Sequence, residues 1–145
     1  MKDKEEKIRV LLVENGQYPR VVEINNTLEE MQKLVRGDIE PYYPYEEMVC
    51  IVCNDEGKIN GMSPNRAVYD EEKRMVELMC GPFFLCDCSN SNFGSLTDEQ
   101  IERYTKEFYY PQRFFMINGD ITAFPYTPTD LSSTKSKKEK EREER

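Results

Sequence analysis

Residues 93–126 read FGSLTDEQIERYTKEFYYPQRFFMINGDITAFPY, a helix with both ends written into it and then a tight hairpin. Thr97 and Gln100 stand three apart, the spacing at which two side chains satisfy the orphan amides of a helix start. Leu96 and Ile101 bracket them at the staple positions. Asp98 and Glu99 put negative charge in the first turn, where the helix dipole favours it. Ile101, Tyr104 and Phe108 form one apolar stripe, and Pro111 ends the run because the residue before a proline avoids the helical region. The pattern predicts a helix from Asp98 to about Tyr109. Asn118-Gly119 lies between the apolar runs FFMI and DITA. Both residues of such a turn need positive φ, so the pair is a strong hairpin signal. Its register sets Met116 opposite Ile121 and Phe114 opposite Ala123 on one side. Phe115, Ile117, Asp120 and Thr122 share the other, mixed side. One face is expected to pack inward and the other to stay at least partly wet.

Working outward, Ile8–Val13 (IRVLLV) and Tyr18–Ile24 (YPRVVEI) read as a β-hairpin around Glu14–Gln17, with Pro19 placed as at a sheet edge. Thr27 and Glu30 repeat the capping spacing, Leu28, Met31, Leu34 and Val35 give a helical stripe, and Gly37 supplies a stop. The opening unit is therefore ββα. Asp38–Pro44 is held extended by its prolines, and Met48–Cys53 (MVCIVC) has the continuous apolar character of a strand buried on both faces. Asn54–Gly57 is turn material, Lys58–Met62 returns as a weaker strand, and Ser63–Arg66 reads as a loop opening a short helical turn to Tyr69. Asp70–Arg74 (DEEKR) is a solvated charge run; Val76–Met79 and Phe83–Cys88 are further strands. From Thr127 apolar periodicity is lost, which reads as a disordered charged tail over 127–145. The expected architecture is α+β. It is a mostly antiparallel mixed sheet of six to eight strands with two main helices, in a single domain over 1–126 whose parts are a sheet unit (8–88) and a helix–hairpin unit (93–126).

Charge bounds the partners. Residues 1–130 hold 14 Lys or Arg against 24 Asp or Glu, so this part is more acidic than the whole-chain net charge of −8. Such a surface repels nucleic-acid phosphates and suits a basic protein partner or plain solubility. No direct nucleic-acid binding is expected. No apolar run is long enough to span a membrane, and the MKDKEEK start lacks the apolar segment of a signal peptide. A cytoplasmic location follows as an expectation. The five cysteines suit a reducing compartment. The chain has no histidine, the commonest general base and neutral metal ligand, and no cofactor or catalytic residue is read from it.

The blocks VLLVE (10–14), YPRVVEINNTLEEMQKLVRGDIE (18–40), VCNDEGKINGMSPNRAV (52–68), CGPFFL (80–85) and FGSLTDEQIERYTKEF (93–108) resemble a family known only as a domain of unknown function. It is encoded by phages and integrative conjugative elements of gut bacteria, often beside antirestriction genes. The likeness spans roughly residues 8–126. It implies an accessory protein of a mobile element, for which countering host defence is a natural role, and it carries no assigned catalytic residue. Asp70–Arg74 and the charged tail depart from the family pattern.

Four constellations hold the residue types that could carry chemistry or binding. Cys50-x-x-Cys53 with Cys86-x-Cys88 has the thiols of a zinc site, but in a strand an odd separation sends Cys50 and Cys53 to opposite faces. Buried free thiols are the preferred reading for these four. Lys58, Asn60, Asn65 and Arg66 offer a ligand rim for a nucleotide signal, against turn chemistry as the plainer explanation. Tyr42, Tyr43 and Tyr45 are dense in rings of the kind that anchor interfaces. Glu46, Glu47, Asp70, Glu71 and Glu72 are acidic pairs able to stand in for spaced phosphates before a basic groove. The expectation is a non-catalytic acidic protein that uses these tyrosines and carboxylates to inhibit a host defence effector such as a nuclease, anti-CRISPR or anti-restriction in type. The rivals are a nucleotide-sequestering protein and an accessory protein of element maintenance. Self-association through the hairpin or the tyrosine segments is left open.

Overall fold

The computed structural model describes residues 6–128. Its elements are β1 (Lys7–Val13), β2 (Arg20–Asn25), α1 (Leu28–Val35), β3 (Ile39–Tyr42), β4 (Val49–Asn54), β5 (Pro64–Tyr69), β6 (Met75–Cys80), β7 (Phe83–Asp87), α2 (Asp98–Glu107), β8 (Gln112–Ile117) and β9 (Asp120–Pro125). The α+β class stands, with two helices and every strand pair antiparallel. Nine strands are present among the described residues. They form a five-stranded sheet, ordered β2-β1-β7-β4-β3, and two separate ribbons, β5-β6 and β8-β9.

The continuous apolar runs become the sheet's central strands because both of its faces are covered. On one face Ile8, Val10, Leu12, Cys50, Val52, Phe84 and Cys86 meet Met31 and Val35 of α1. On the other, Leu11, Val13, Val49, Ile51, Phe83 and Leu85 meet Val68 and Met79 of the β5-β6 ribbon and Leu96, Tyr104 and Phe108 around α2. Successive residues of β7 thus serve opposite layers, as the pleat requires. Pro19 and Pro41 fall beside or within the two edge strands, β2 and β3, where a missing N–H costs no ladder bond.

Helix α2 starts as its sequence predicts: Gln100 N donates to Thr97 Oγ1 (3.1 Å) and Thr97 N to Gln100 Oε1 (2.9 Å). Helix α1 has half of that device. Glu30 N donates to Thr27 Oγ1, but the Glu30 carboxylate turns to the Asn25 amide group, 2.9 Å away. The left-handed residue closing α1 is Arg36 (φ 66°), one before Gly37. Gly37 assists differently: a Cβ there would lie 2.7 Å from Asn54 Nδ2.

Three expectations are corrected. Lys58–Met62 is a compact turn and not a strand, because Asn54 captures it. Asn54 Oδ1 accepts from Glu56 N (2.7 Å), while its Nδ2 donates to the carbonyls of Val35 and Arg36. Pro64–Tyr69, read as loop and helical turn, is strand β5, whose Arg66–Val68 stretch is buried in the core side of the ribbon. The β8-β9 hairpin has the predicted register, with Asn118 and Gly119 at φ 53° and 85°, but its inward face is poorly covered. Met116 and Ile121 are exposed, and only Phe114, Thr122 and Ala123 among the mid-strand residues are partly buried. Of the expected charged tail, all but Thr127 and Pro128 lies outside the described residues.

Candidate functional site

The Tyr45–Glu46 segment and the β5-β6 turn, far apart in the chain, face each other across an open groove of about 850 Å³. One wall is Pro44, Tyr45 and Glu46. The other is Tyr69–Arg74, and Glu107 of α2 lies between them. Five carboxylates (Glu46, Asp70, Glu71, Glu72 and Glu107) stand against two cations, Lys73 and Arg74.

The turn is built by Asp70. Its Oδ1 accepts from the backbone N–H groups of Glu72 and Arg74, each at 2.9 Å, and its Oδ2 from Arg74 Nε at 3.1 Å. These bonds, the Arg74 backbone N–H foremost, hold the Asp70 carboxyl below its ordinary pKa. Lys73 takes the left-handed backbone (φ 68°) that closes the turn. Arg74 also pairs with Glu72 at 2.7 Å. The Asp70–Arg74 charge run is therefore an ordered turn. Glu71 and Glu46 have no ion-pair partner among the described residues.

On the opposite wall the Tyr45 ring packs on Tyr104, with centroids 4.8 Å apart, and its hydroxyl donates to Glu107 Oε2 at 3.5 Å. Burial, reinforced by the Glu107 charge, raises the Tyr45 pKa, so its hydroxyl remains a donor. Burial of the carboxylate likewise raises Glu107, although the residue as a whole is exposed; Tyr45 and Arg103 oppose that shift. Glu47 turns the other way, onto α2. Its carboxylate accepts from the Tyr104 hydroxyl, from Arg103 and from Gln100 Nε2 (3.2 Å). Burial pushes the Glu47 pKa up, but these three donors outweigh it and the net shift is downward.

The structure thus divides the expected partner-binding residues. Tyr45, Glu46, Asp70, Glu71 and Glu72 share the groove, Glu47 is held on α2 outside it, and Tyr42 and Tyr43 are elsewhere. Tyr42 packs against the core and lines a smaller pocket of about 310 Å³, and Tyr43 points to solvent, 61% exposed.

The expected ligand rim does not assemble. Lys58 pairs with Glu77 beside the smaller pocket, and Asn60 is exposed on the Asn54–Met62 turn. Asn65 and Arg66 are interior residues, each 1% exposed. Asn65 Nδ2 donates to the carbonyls of Val13 and Gly81, both at 3.0 Å. Arg66 donates to Phe108 O (3.0 Å), Gln17 O (2.6 Å) and Asn65 Oδ1 (2.8 Å). These contacts hold β5 to the main sheet and to the end of α2, so both residues are structural. Burial pushes the Arg66 guanidinium pKa down to about 10.

Cys50 and Cys86 lie directly opposite on neighbouring strands, Sγ to Sγ 3.9 Å, inside the layer under α1, while Cys53 packs on the other layer. Among the described residues no group of three or more Cys, Asp or Glu is arranged to hold a metal ion.

Sequence reading missed Tyr69, Lys73, Arg74 and Glu107 as groove residues. Glu107 did carry a signal: a carboxylate in the last turn of a helix sits where the dipole disfavours it.

No curated protein and no solved structure matches the chain. Residues 8–109 match a family described as a domain of unknown function (DUF3846). That match takes in the five-stranded sheet, both helices and both walls of the groove, and the chain belongs to this family.

Proposed function

We propose that this is a non-catalytic binding protein whose acidic groove holds a Lys/Arg-rich segment of a protein partner. The carrying observation is the meeting of Glu46 with Asp70–Glu72 and Glu107 around the ring of Tyr45, in a groove with more than twice as many carboxylates as cations. Unpaired Glu71 and Glu46 would accept guanidinium or ammonium groups, and Tyr45 and Tyr69 offer ring faces for cation–π contact. The ordered Asp70 turn lowers the entropy lost on binding, because its backbone is already held. The mobile-element setting implied by the resemblance makes a host defence effector the partner class we favour, since such nucleases carry basic nucleic-acid grooves. An accessory role in element maintenance through the same groove is the reading that replaces it if no effector binds.

Fluorescence anisotropy with a labelled Arg/Lys-rich peptide tests the groove. Wild-type binding is expected to weaken steadily with added salt, and a Glu46→Gln/Glu71→Gln/Glu72→Gln variant to lose most of it. Equal affinity of that variant and the wild type would remove the groove from the account. A pull-down from a host carrying CRISPR and restriction systems then tests the partner class.

A further inference from the structure

The hairpin of β8 and β9 carries large apolar side chains that the core leaves unused. Met116 is 68% exposed and Phe115 53%, and Ile117, Ile121 and Phe124 are exposed beside them. This ribbon lies beyond residue 109, where the family match ends. Between Pro111 and Pro125 only Arg113 and Asp120 are charged, on a chain of net charge −8.

The ribbon also has an open edge. Strand β9 pairs with β8 on one side, and among the described residues no strand lies on its other side. A two-residue turn makes Ile117 and Asp120 the first hydrogen-bonded pair, and alternation then aims Asp120, Thr122 and Phe124 at β8. The bond from Tyr126 N to Pro111 O, 2.9 Å, continues that alternation. Ile121 and Ala123 therefore direct their N–H and C=O groups outward, and Pro125, which lacks an N–H, ends the usable edge. Unpaired edges of this kind are templates for another strand.

We infer that the chain forms a two-fold dimer by pairing β9 antiparallel with β9 of a second copy, centred on Thr122. Ile121 then exchanges both backbone hydrogen bonds with Ala123 of the partner subunit, and two-fold symmetry repeats the exchange, closing a four-stranded sheet. Corresponding faces of the two ribbons become continuous, so the Met116–Ile121 stripe and the Phe115–Phe124 stripe each meet their own copy. Asp120 comes opposite Phe124 of the partner subunit, and no like-charge pair is created. A second copy suits this surface better than a basic partner does, because the patch is nearly uncharged and complementary to itself.

Sedimentation equilibrium of the full chain tests this, together with cysteine cross-linking. The wild type is expected to dimerise and to do so more tightly as salt rises, since two copies of net charge −8 repel. Groove binding has the opposite salt dependence, so the two proposals fail separately. Ile121→Lys is expected to weaken dimerisation by about tenfold or more. Thr122→Cys sits at a non-hydrogen-bonded pair on the axis, with Cα atoms about 4.5 Å apart, within disulfide reach. It should give a disulfide-linked dimer on mild oxidation, above the background of the wild-type cysteines, whereas Asn118→Cys at the hairpin tip should not. A wild type that stays monomeric at all salt concentrations overturns the inference. So does a dimer that Ile121→Lys leaves intact and Thr122→Cys fails to cross-link.

Discussion

Arg66 Nε donates to the carbonyl oxygen of Phe108 across 3.0 Å of protein interior, joining the β5-β6 ribbon to the end of α2. The same guanidinium also takes up the carbonyl of Gln17 and the side-chain oxygen of Asn65. It faces neutral acceptors and not a carboxylate, so its charge is held by hydrogen bonds alone. Arg66→Ala would leave the buried acceptors on Phe108 and Asn65 unsatisfied, take the donor from the partly buried Gln17 carbonyl, and leave a cavity behind. The expected loss is about 3 kcal/mol or more, read from urea unfolding. A variant within about 0.5 kcal/mol of wild type, the range of ordinary surface changes, would show that this junction does not hold the fold.

Glu47, like Asp70, is an acid whose ionised form the fold prefers. A lowered pKa means that the unfolded chain binds more protons than the native one in the window below the ordinary value of 4.5. Its stabilisation is fully present above that value and is lost as pH falls through the lowered one. Glu47→Gln should therefore cost about 1–2 kcal/mol at pH 7, less than the roughly 1.5–3 kcal/mol of a hydrogen bond to a charged group because the side chain is 32% exposed. The difference between variant and wild type should shrink steadily in acid. Chemical denaturation at stepped pH values checks this; a gap that stays constant with pH would refute it.

Glu107 runs the other way. Its pKa is raised, so between the ordinary 4.5 and the raised value the native state binds more protons and stability falls as pH rises. At neutral pH the ionised carboxylate is a burden. Glu107→Gln should gain a few tenths of a kcal/mol there, a small figure because solvent still reaches the residue and screens the charge. The gain should vanish on acidification below 4.5. Thermal melts at neutral and acid pH would show the crossover, and a destabilised variant at neutral pH would count against it.

Two glycines should respond unequally to alanine. A Cβ at Gly57 would lie 2.7 Å from the carbonyl oxygen of Cys80, a backbone atom with no room to retreat. Gly61 has nothing within 4 Å but holds φ at +78°. Gly57→Ala is expected to cost about 2 kcal/mol, the scale of overpacking, and Gly61→Ala about 1 kcal/mol, the scale of backbone strain. Denaturant midpoints of the two variants decide the order, and the reverse order would mean that the Asn54–Met62 turn does not pack on β6 as described.

Much of this molecule was legible residue by residue. The start of α2, the register and turn residues of the β8-β9 hairpin, the β1-β2 hairpin and the doubly buried β4 all follow from signals spanning a few residues. Cap spacing, an Asn-Gly pair and unbroken apolar runs act over one or two turns of chain, and local sterics and hydrogen bonding suffice to express them. Lys58–Met62 shows where that stops. Its strand propensity lost to Asn54, whose amide bonds both the end of α1 and the turn after β4.

The groove and the role of Arg66 were decided only by the tertiary structure. Sequence could list Tyr45, Glu46 and Asp70–Glu72 as acidic and aromatic, but their meeting depends on how the β5-β6 ribbon lies over the sheet beside α2. Sequence equally could not tell Arg66 at a ligand rim from Arg66 inside, because burial is set by what packs above a residue and not by its neighbours in the chain. Glu46 and Glu47 show the limit at its narrowest: identical and adjacent, one opens into the groove and the other is held on Arg103 and Tyr104. Local chemistry chose the elements. Long-range packing chose which of their side chains remain free to bind.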